Sequence, residues 1–104
     1  MQHYSVLLDD HEHIVRVSGD IDLAAVETLR GAVDQVRTFP ASSAVVLDLA
    51  EVTFLDASGL GELVRPAADR ADVVLRRPSP PVCKVLELTG LTGMFTIVAE
   101  PGRS

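Results

Sequence analysis

Hydrophobic and polar positions alternate at the start of the chain and then change period. Tyr4, Val6 and Leu8 fall on one side of an extended segment, interleaved with Ser5 and Leu7, which predicts a strand with one buried face. Asp9-Asp10-His11-Glu12 reads as a polar turn. Ile14 to Ser18 alternates again, so the two segments make a hairpin whose second strand is expected to end at Gly19. From Asp22 the period becomes helical: Val26, Leu29, Val33 and Val36 share one face, with Glu27, Arg30, Asp34 and Arg37 opposite. Asp22 is placed to cap this helix, Arg30 and Asp34 to pair along it, and Phe39-Pro40 to close it.

Ala44-Val45-Val46-Leu47-Asp48-Leu49 is almost unbroken apolar sequence, the mark of a central strand covered on both faces in a parallel sheet. Ala50 to Ala57 reads as a connection, and Ser58-Gly59 as the start of a second helix. Pro66 is expected to kink or divide that helix, because proline lacks an N–H and clashes with the carbonyl of Glu62. Val73-Val74-Leu75 is a further buried strand. Ser79-Pro80-Pro81 opens a third helix, with Ser79 as its cap, Val82, Val85, Leu86 and Thr89 on one face, and Gly90 at its end. Leu91 to Phe95 reads as a turn that packs Met94 and Phe95 on the core, and Thr96-Ile97-Val98 as a last strand before a frayed tail, Pro101 to Ser104. Together these elements predict one α/β domain over residues 1–104. Its sheet is mixed and four- to five-stranded, an initial hairpin followed by parallel strands joined by right-handed crossovers, with about three packed helices.

Composition narrows the chemistry. Aromatic residues are only 4% of a chain that is 47% hydrophobic, so the core is aliphatic. The formal net charge of −6 disfavours phosphate backbones and anionic lipid heads, and Arg76-Arg77 is too short a basic run to override it. Cys83 is the sole cysteine, which excludes an intrachain disulfide and a multi-cysteine zinc site and leaves a buried structural thiol as the reading. The first residues have no basic and apolar leader pattern, and no apolar run approaches the roughly 20 residues that span a bilayer. The expectation is a cytoplasmic protein with no direct membrane insertion. His3, His11 and His13 read as a solvated edge rather than a ligand set. No acid–base pair, nucleophilic triad or glycine-rich phosphate loop stands out, so neither catalysis nor a cofactor is expected.

The most informative segment is Leu55-Asp56-Ala57-Ser58-Gly59-Leu60-Gly61. Ser58 lies where a loop turns into a helix. On local physics it reads either as a helix N-cap or as a phosphoacceptor, since a phosphate there would face open backbone amides and the positive end of the helix dipole.

The order of the segments adds to this. Gly19-Asp20-Ile21-Asp22 after a strand, then Phe54-Leu55-Asp56-Ala57-Ser58-Gly59-Leu60, then Pro78-Ser79-Pro80 and Val85-Leu86-Glu87-Leu88-Thr89-Gly90-Leu91, resembles the bacterial anti-sigma factor antagonists of the STAS domain family over nearly the whole chain. The resemblance implies a regulator of transcription, as in stress responses, that sequesters a kinase-type anti-sigma factor and frees sigma. An anti-sigma factor serine kinase would switch it off by phosphorylating Ser58, and a serine phosphatase would reset it. The resemblance places the phosphoacceptor at Ser58, the aspartate two places earlier at Asp56, the helix start at Gly59 and Leu60, and the end of a Gly-x-x-Asp motif at Asp22. These five are the expected partner-binding residues. Asp22 and Asp56 are equally natural caps or turn residues, and as carboxylates beside Ser58 they could orient its hydroxyl and repel its phosphate. Two departures stand out: Ala57 replaces a frequent second hydroxyl residue, and the second helix is roughly a turn short. The alternative is a constitutive STAS subunit of a membrane lipid-transport ATPase complex, which needs no phosphoacceptor. The oligomeric state is open, with a monomer favoured.

Overall fold

The alternating start of the chain folds as a hairpin, β1 (Tyr4–Asp9) antiparallel to β2 (Ile14–Ile21). The structure is a computed structural model and describes residues 3–9, 11–38 and 44–99. Asp10 in the hairpin turn, the expected helix stop at Phe39-Pro40 and the tail from Pro101 to Ser104 lie outside the described residues. After the hairpin come α1 (Leu23–Val36), β3 (Ala44–Leu55), α2 (Ala57–Ala68), β4 (Asp72–Arg76), α3 (Pro80–Thr89), a 3-10 turn at Thr92–Met94 and β5 (Thr96–Val98). The five strands lie side by side in chain order, and every pairing after the hairpin is parallel. The expected mixed sheet with three helices is therefore the observed architecture.

Register explains where the core sits. Leu8, Val15, Leu47 and Leu75 are consecutive partners across four strands, and this row packs with Leu29 and Val33 of α1, Leu63 of α2, and Val82 and Leu86 of α3. The row one residue along is Leu7, Arg16, Asp48 and Arg76, which faces the other way because side chains alternate along a strand. Asp48 is buried in that second row. Its Oδ2 accepts from Arg77 Nη2 at 2.6 Å and from Arg16 Nη1 at 3.4 Å, so arginine side chains cover this part of the central strand.

Several local expectations are corrected by long-range pairing. Gly19 does not end β2; the strand continues to Ile21 through register shifts on either side of it. Gly19 has φ +83°, and a side chain there would meet the backbone of His3 and the Cα of Tyr4 at 2.8 Å, so only glycine fits this irregular stretch. Likewise Ala50 to Leu55 is strand, not connection, because β2 supplies partners as far as the pair Ile21–Leu55. Arg30 and Asp34 do not pair with each other. Arg30 donates through Nε and Nη2 to Glu62 Oε2, both at 3.1 Å, while Arg65 donates to Glu62 Oε1 and Asp34 Oδ1, both at 2.8 Å. Buried Glu62 demands these cations, and the network ties α1 to α2.

Pro66 does not divide α2, which continues to Ala68. The fully buried ring keeps its packing, and the helix closes at once. Arg70 takes the left-handed conformation at φ 68°, its N–H donates to the Ala67 carbonyl at 3.1 Å, and the Ala71 N–H donates to the Pro66 carbonyl at 2.9 Å. Ser79 stands at the N-cap position of α3 but makes no capping bond, and its buried hydroxyl has no partner. Pro80 and Pro81 remove the donors of the first two helical positions, which leaves the Val82 N–H as the one first-turn donor a cap could serve. Phe95 packs on the core as expected, whereas Met94 is exposed. No helix among the described residues is long and apolar enough to cross a membrane.

Candidate functional site

Two helix N-termini meet at one end of the sheet. β2 and β3 run parallel and finish in register at Ile21 and Leu55, and an aspartate follows each. Asp22 Oδ1 accepts from the Ala24 N–H at 3.0 Å and caps α1. Asp56 Oδ1 accepts from the Gly59 N–H at 3.0 Å and caps α2. The Asp56 N–H donates to the Ile21 carbonyl at 3.3 Å, which joins the two caps through the backbone. Both aspartates hold the positions that favour a carboxylate, where free amides and the helix dipole converge.

Ser58 is not the cap. It lies in the first turn of α2, two residues after Asp56, and is half-buried. The capping alternative read from sequence is thus taken by Asp56. Gly59 and Leu60 are both buried. A side chain on Gly59 would lie 2.5 Å from the Ile21 carbonyl oxygen, 2.7 Å from Leu55 Cδ1 and 2.9 Å from Ile21 Cγ2. Leu60, only 9% exposed, points into the core. These two residues anchor the start of α2 and set where Ser58 stands. They offer little surface to a partner.

Two apolar residues at the same end had no role assigned from sequence. Leu23, the first residue of α1, is 74% exposed, and Phe54, two residues before Asp56, is 50% exposed. Their signal was legible only as position, since Phe54 opens the segment that carries Ser58 and Leu23 follows Asp22. Exposure of Phe54 follows from the extension of β3, where it pairs with Asp20. Asp20 Oδ1 in turn accepts from Thr53 Oγ1 at 2.8 Å. The end of the sheet therefore combines exposed apolar side chains with three carboxylates, Asp20, Asp22 and Asp56. Such a surface can dock an apolar partner face around a neutral hydroxyl, and its field opposes added negative charge. Among the described residues there is no cluster of three or more groups able to hold a metal ion.

The chain is similar to known proteins over most of its length. A family model described as Mlab, STAS domain matches residues 5–99. A STAS-domain containing protein of Pseudomonas aeruginosa is 30% identical over 93 residues, 86% of this chain and 90% of the relative. The crystal structure of an anti-sigma factor antagonist from Mycobacterium paratuberculosis superposes with a TM-score of 0.75 at 29% identity, over 94% of this chain and 87% of that one. The anti-sigma factor antagonist SpoIIAA shares the fold in its unphosphorylated form (TM-score 0.69, 24% identity, 93% and 89% coverage). The phosphorylated form from Bacillus shares it too (TM-score 0.61, 23% identity, 93% and 92% coverage). With its five-stranded sheet, its three helices and a family match spanning nearly every element, this chain belongs to the STAS domain family.

Proposed function

We propose that the protein is an anti-sigma factor antagonist that binds a kinase-type anti-sigma factor, releases sigma, and is switched off by phosphorylation of Ser58. The observation that carries this reading is the position of Ser58. It is half-buried in the first turn of a helix whose cap is supplied by another residue, at the end of the sheet that also carries exposed Leu23 and Phe54. Its hydroxyl has no capping duty, so it is available for a different one. The similarity to anti-sigma factor antagonists supports the same role.

The switch is electrostatic. A neutral hydroxyl is covered by a partner at modest cost, whereas phosphate brings about −1.5 to −2 charge that must be desolvated or paired. Asp22 and Asp56 add like-charge repulsion, and a loss of about 1.4 kcal/mol already weakens binding tenfold. Phosphorylation of Ser58 therefore works as an off-state without any large change of fold. The protein acts as a regulatory binding module in the cytoplasm, with an anti-sigma factor serine kinase and a serine phosphatase as its partners. Asp22, Asp56 and Ser58 face the partner, with Gly59 and Leu60 holding them in place.

The test is the affinity of the purified protein for candidate anti-sigma factors, measured for wild type, Ser58→Ala, Ser58→Asp and the phosphorylated form. Wild type and Ser58→Ala should bind, Ser58→Asp weakly, and phosphoprotein least. Equal affinity for all four would replace this reading with the second one, a constitutive STAS subunit of a membrane lipid-transport ATPase complex. The family description that names Mlab is the observation on that side.

A further inference from the structure

The outer edge of β1 is an unguarded strand. Among the described residues β1 ends the sheet, and its six residues pair with β2 without a register shift. Natural edge strands are usually blunted by lysine, proline, a bulge or short length. β1 has none of these: its sequence is Tyr-Ser-Val-Leu-Leu-Asp, with a charge only at its end. The opposite edge, β5, is only three residues long and is protected by that shortness. Leu7 in the middle of β1 is 62% exposed and lines a shallow cavity of about 220 Å³ with Ser5, Arg16 and Ser18 on the sheet face that carries Asp48.

The hydrogen-bond phase says which groups the edge offers. The Asp20 N–H donates to the His3 carbonyl at 2.8 Å, in line with the Tyr4–Gly19 register, so His3 and Asp20 form a narrow pair. Alternation then makes Ser5–Ser18 and Leu7–Arg16 narrow pairs as well. The N–H and C=O groups of Tyr4, Val6 and Leu8 consequently point outward, away from β2.

We propose that this edge is a self-association surface, on which a second copy of the chain adds its own β1 antiparallel to the first. A twofold axis perpendicular to the sheet keeps each face on the same side. It selects the register that places Val6 opposite the partner's Val6 and Tyr4 opposite the partner's Leu8. That register alone satisfies all the outward groups of Tyr4, Val6 and Leu8 on both copies; sliding by two residues loses a narrow pair. It also sets Leu7 against the partner's Ser5 and His3 against the partner's Asp9. Both Asp9 oxygens are already engaged within the chain, Oδ1 by the His11 and Glu12 N–H groups and Oδ2 at 3.5 Å from Arg16, so the pairing rests on the outward backbone groups. The two sheets then merge into one, and the ends that carry Ser58 stay free for another partner.

Sedimentation equilibrium over a wide concentration range tests this directly. Wild type should show a concentration-dependent monomer–dimer equilibrium, and Leu7→Lys should weaken it about tenfold, since it sets an ammonium on the cross-strand contact twice per dimer. Leu7 is exposed, so the variant should keep the wild-type melting curve. Register is tested with Ser5→Cys combined with Leu7→Cys in a Cys83→Ser background. Residues 5 and 7 of opposite copies form a wide pair with Cα atoms about 4.5 Å apart, within disulfide reach. Mild oxidation should yield a covalent dimer from the double-cysteine variant and not from either single-cysteine variant. A protein that stays monomeric throughout and does not cross-link overturns the proposal, as does a dimer that Leu7→Lys leaves unchanged.

Discussion

The carbonyl oxygen of Ile21 lies 2.5 Å from the point where a side chain on Gly59 would begin. This approach brings the end of β2 and the start of α2 together, and so places Asp22 beside Asp56 and Ser58. Gly59→Ala must push the two apart, against backbone on one side and Leu55 and Ile21 side chains on the other. Overpacking of this kind costs about 1–3 kcal/mol. The variant should melt earlier and bind the anti-sigma factor more weakly, and a wild-type melting temperature would show that α2 moves freely at its start.

Asp56 and Ser58 should separate in stability measurements. Asp56 Oδ1 holds the Gly59 N–H, so Asp56→Ala removes a cap worth about 1 kcal/mol. Ser58→Ala removes a half-buried hydroxyl that does not cap and should change stability by less than about 0.5 kcal/mol. Urea unfolding of both variants decides it. If Ser58→Ala costs as much as Asp56→Ala, the hydroxyl is structural and the switch loses its basis.

Phe54 and Leu23 are the expected anchors for a partner. Interfaces concentrate their energy in a few apolar or aromatic groups that become desolvated on binding. Phe54→Ala should therefore weaken anti-sigma factor binding tenfold or more, and Leu23→Ala should act in the same direction. Both side chains are already exposed, so unfolding midpoints should stay close to wild type. Unchanged affinity in both variants would move the docking surface away from this end of the sheet.

Asp48 gives the fold an acid-sensitive fastening. Burial pushes its carboxyl up, but the Arg77 hydrogen bond, the Ala50 N–H and the charges of Arg77 and Arg76 outweigh that and hold it below the ordinary carboxylate value. A folded value lower than the unfolded one means that the charged form stabilises the fold. That contribution is complete above the unfolded carboxylate pKa of about 3.9 and is lost as pH falls through the lower folded value. Stability of the wild type should drop in that acid range, and Asp48→Asn should be less stable at neutral pH with a flatter acid limb. Arg77→Ala strips the shortest partner from a buried carboxylate and should cost about 2 kcal/mol at neutral pH. Denaturant melts between acid and neutral pH check all three.

The amino-acid sequence by itself determined the periodic parts of this protein. The alternation of Tyr4, Val6 and Leu8, the helical spacing of Leu29, Val33 and Val36, and the apolar run from Val45 to Leu49 each mark an element whose burial is settled within a few residues. The segment around Asp56 and Ser58 was visible for the same reason, because capping and turn chemistry are local. Tertiary structure alone decided the rest. β2 passes Gly19 and β3 reaches Leu55 because each finds partners on the other, and a strand's length depends on what lies beside it. Arg30 turns from Asp34 to Glu62 because the packing of α1 on α2 buries a carboxylate that must be paired. Phe54 is left exposed because β3 runs on through it to Leu55, paired with Asp20 of β2. In every one of these cases the deciding partner lies on another element, where a pattern read along the chain carries no information about it.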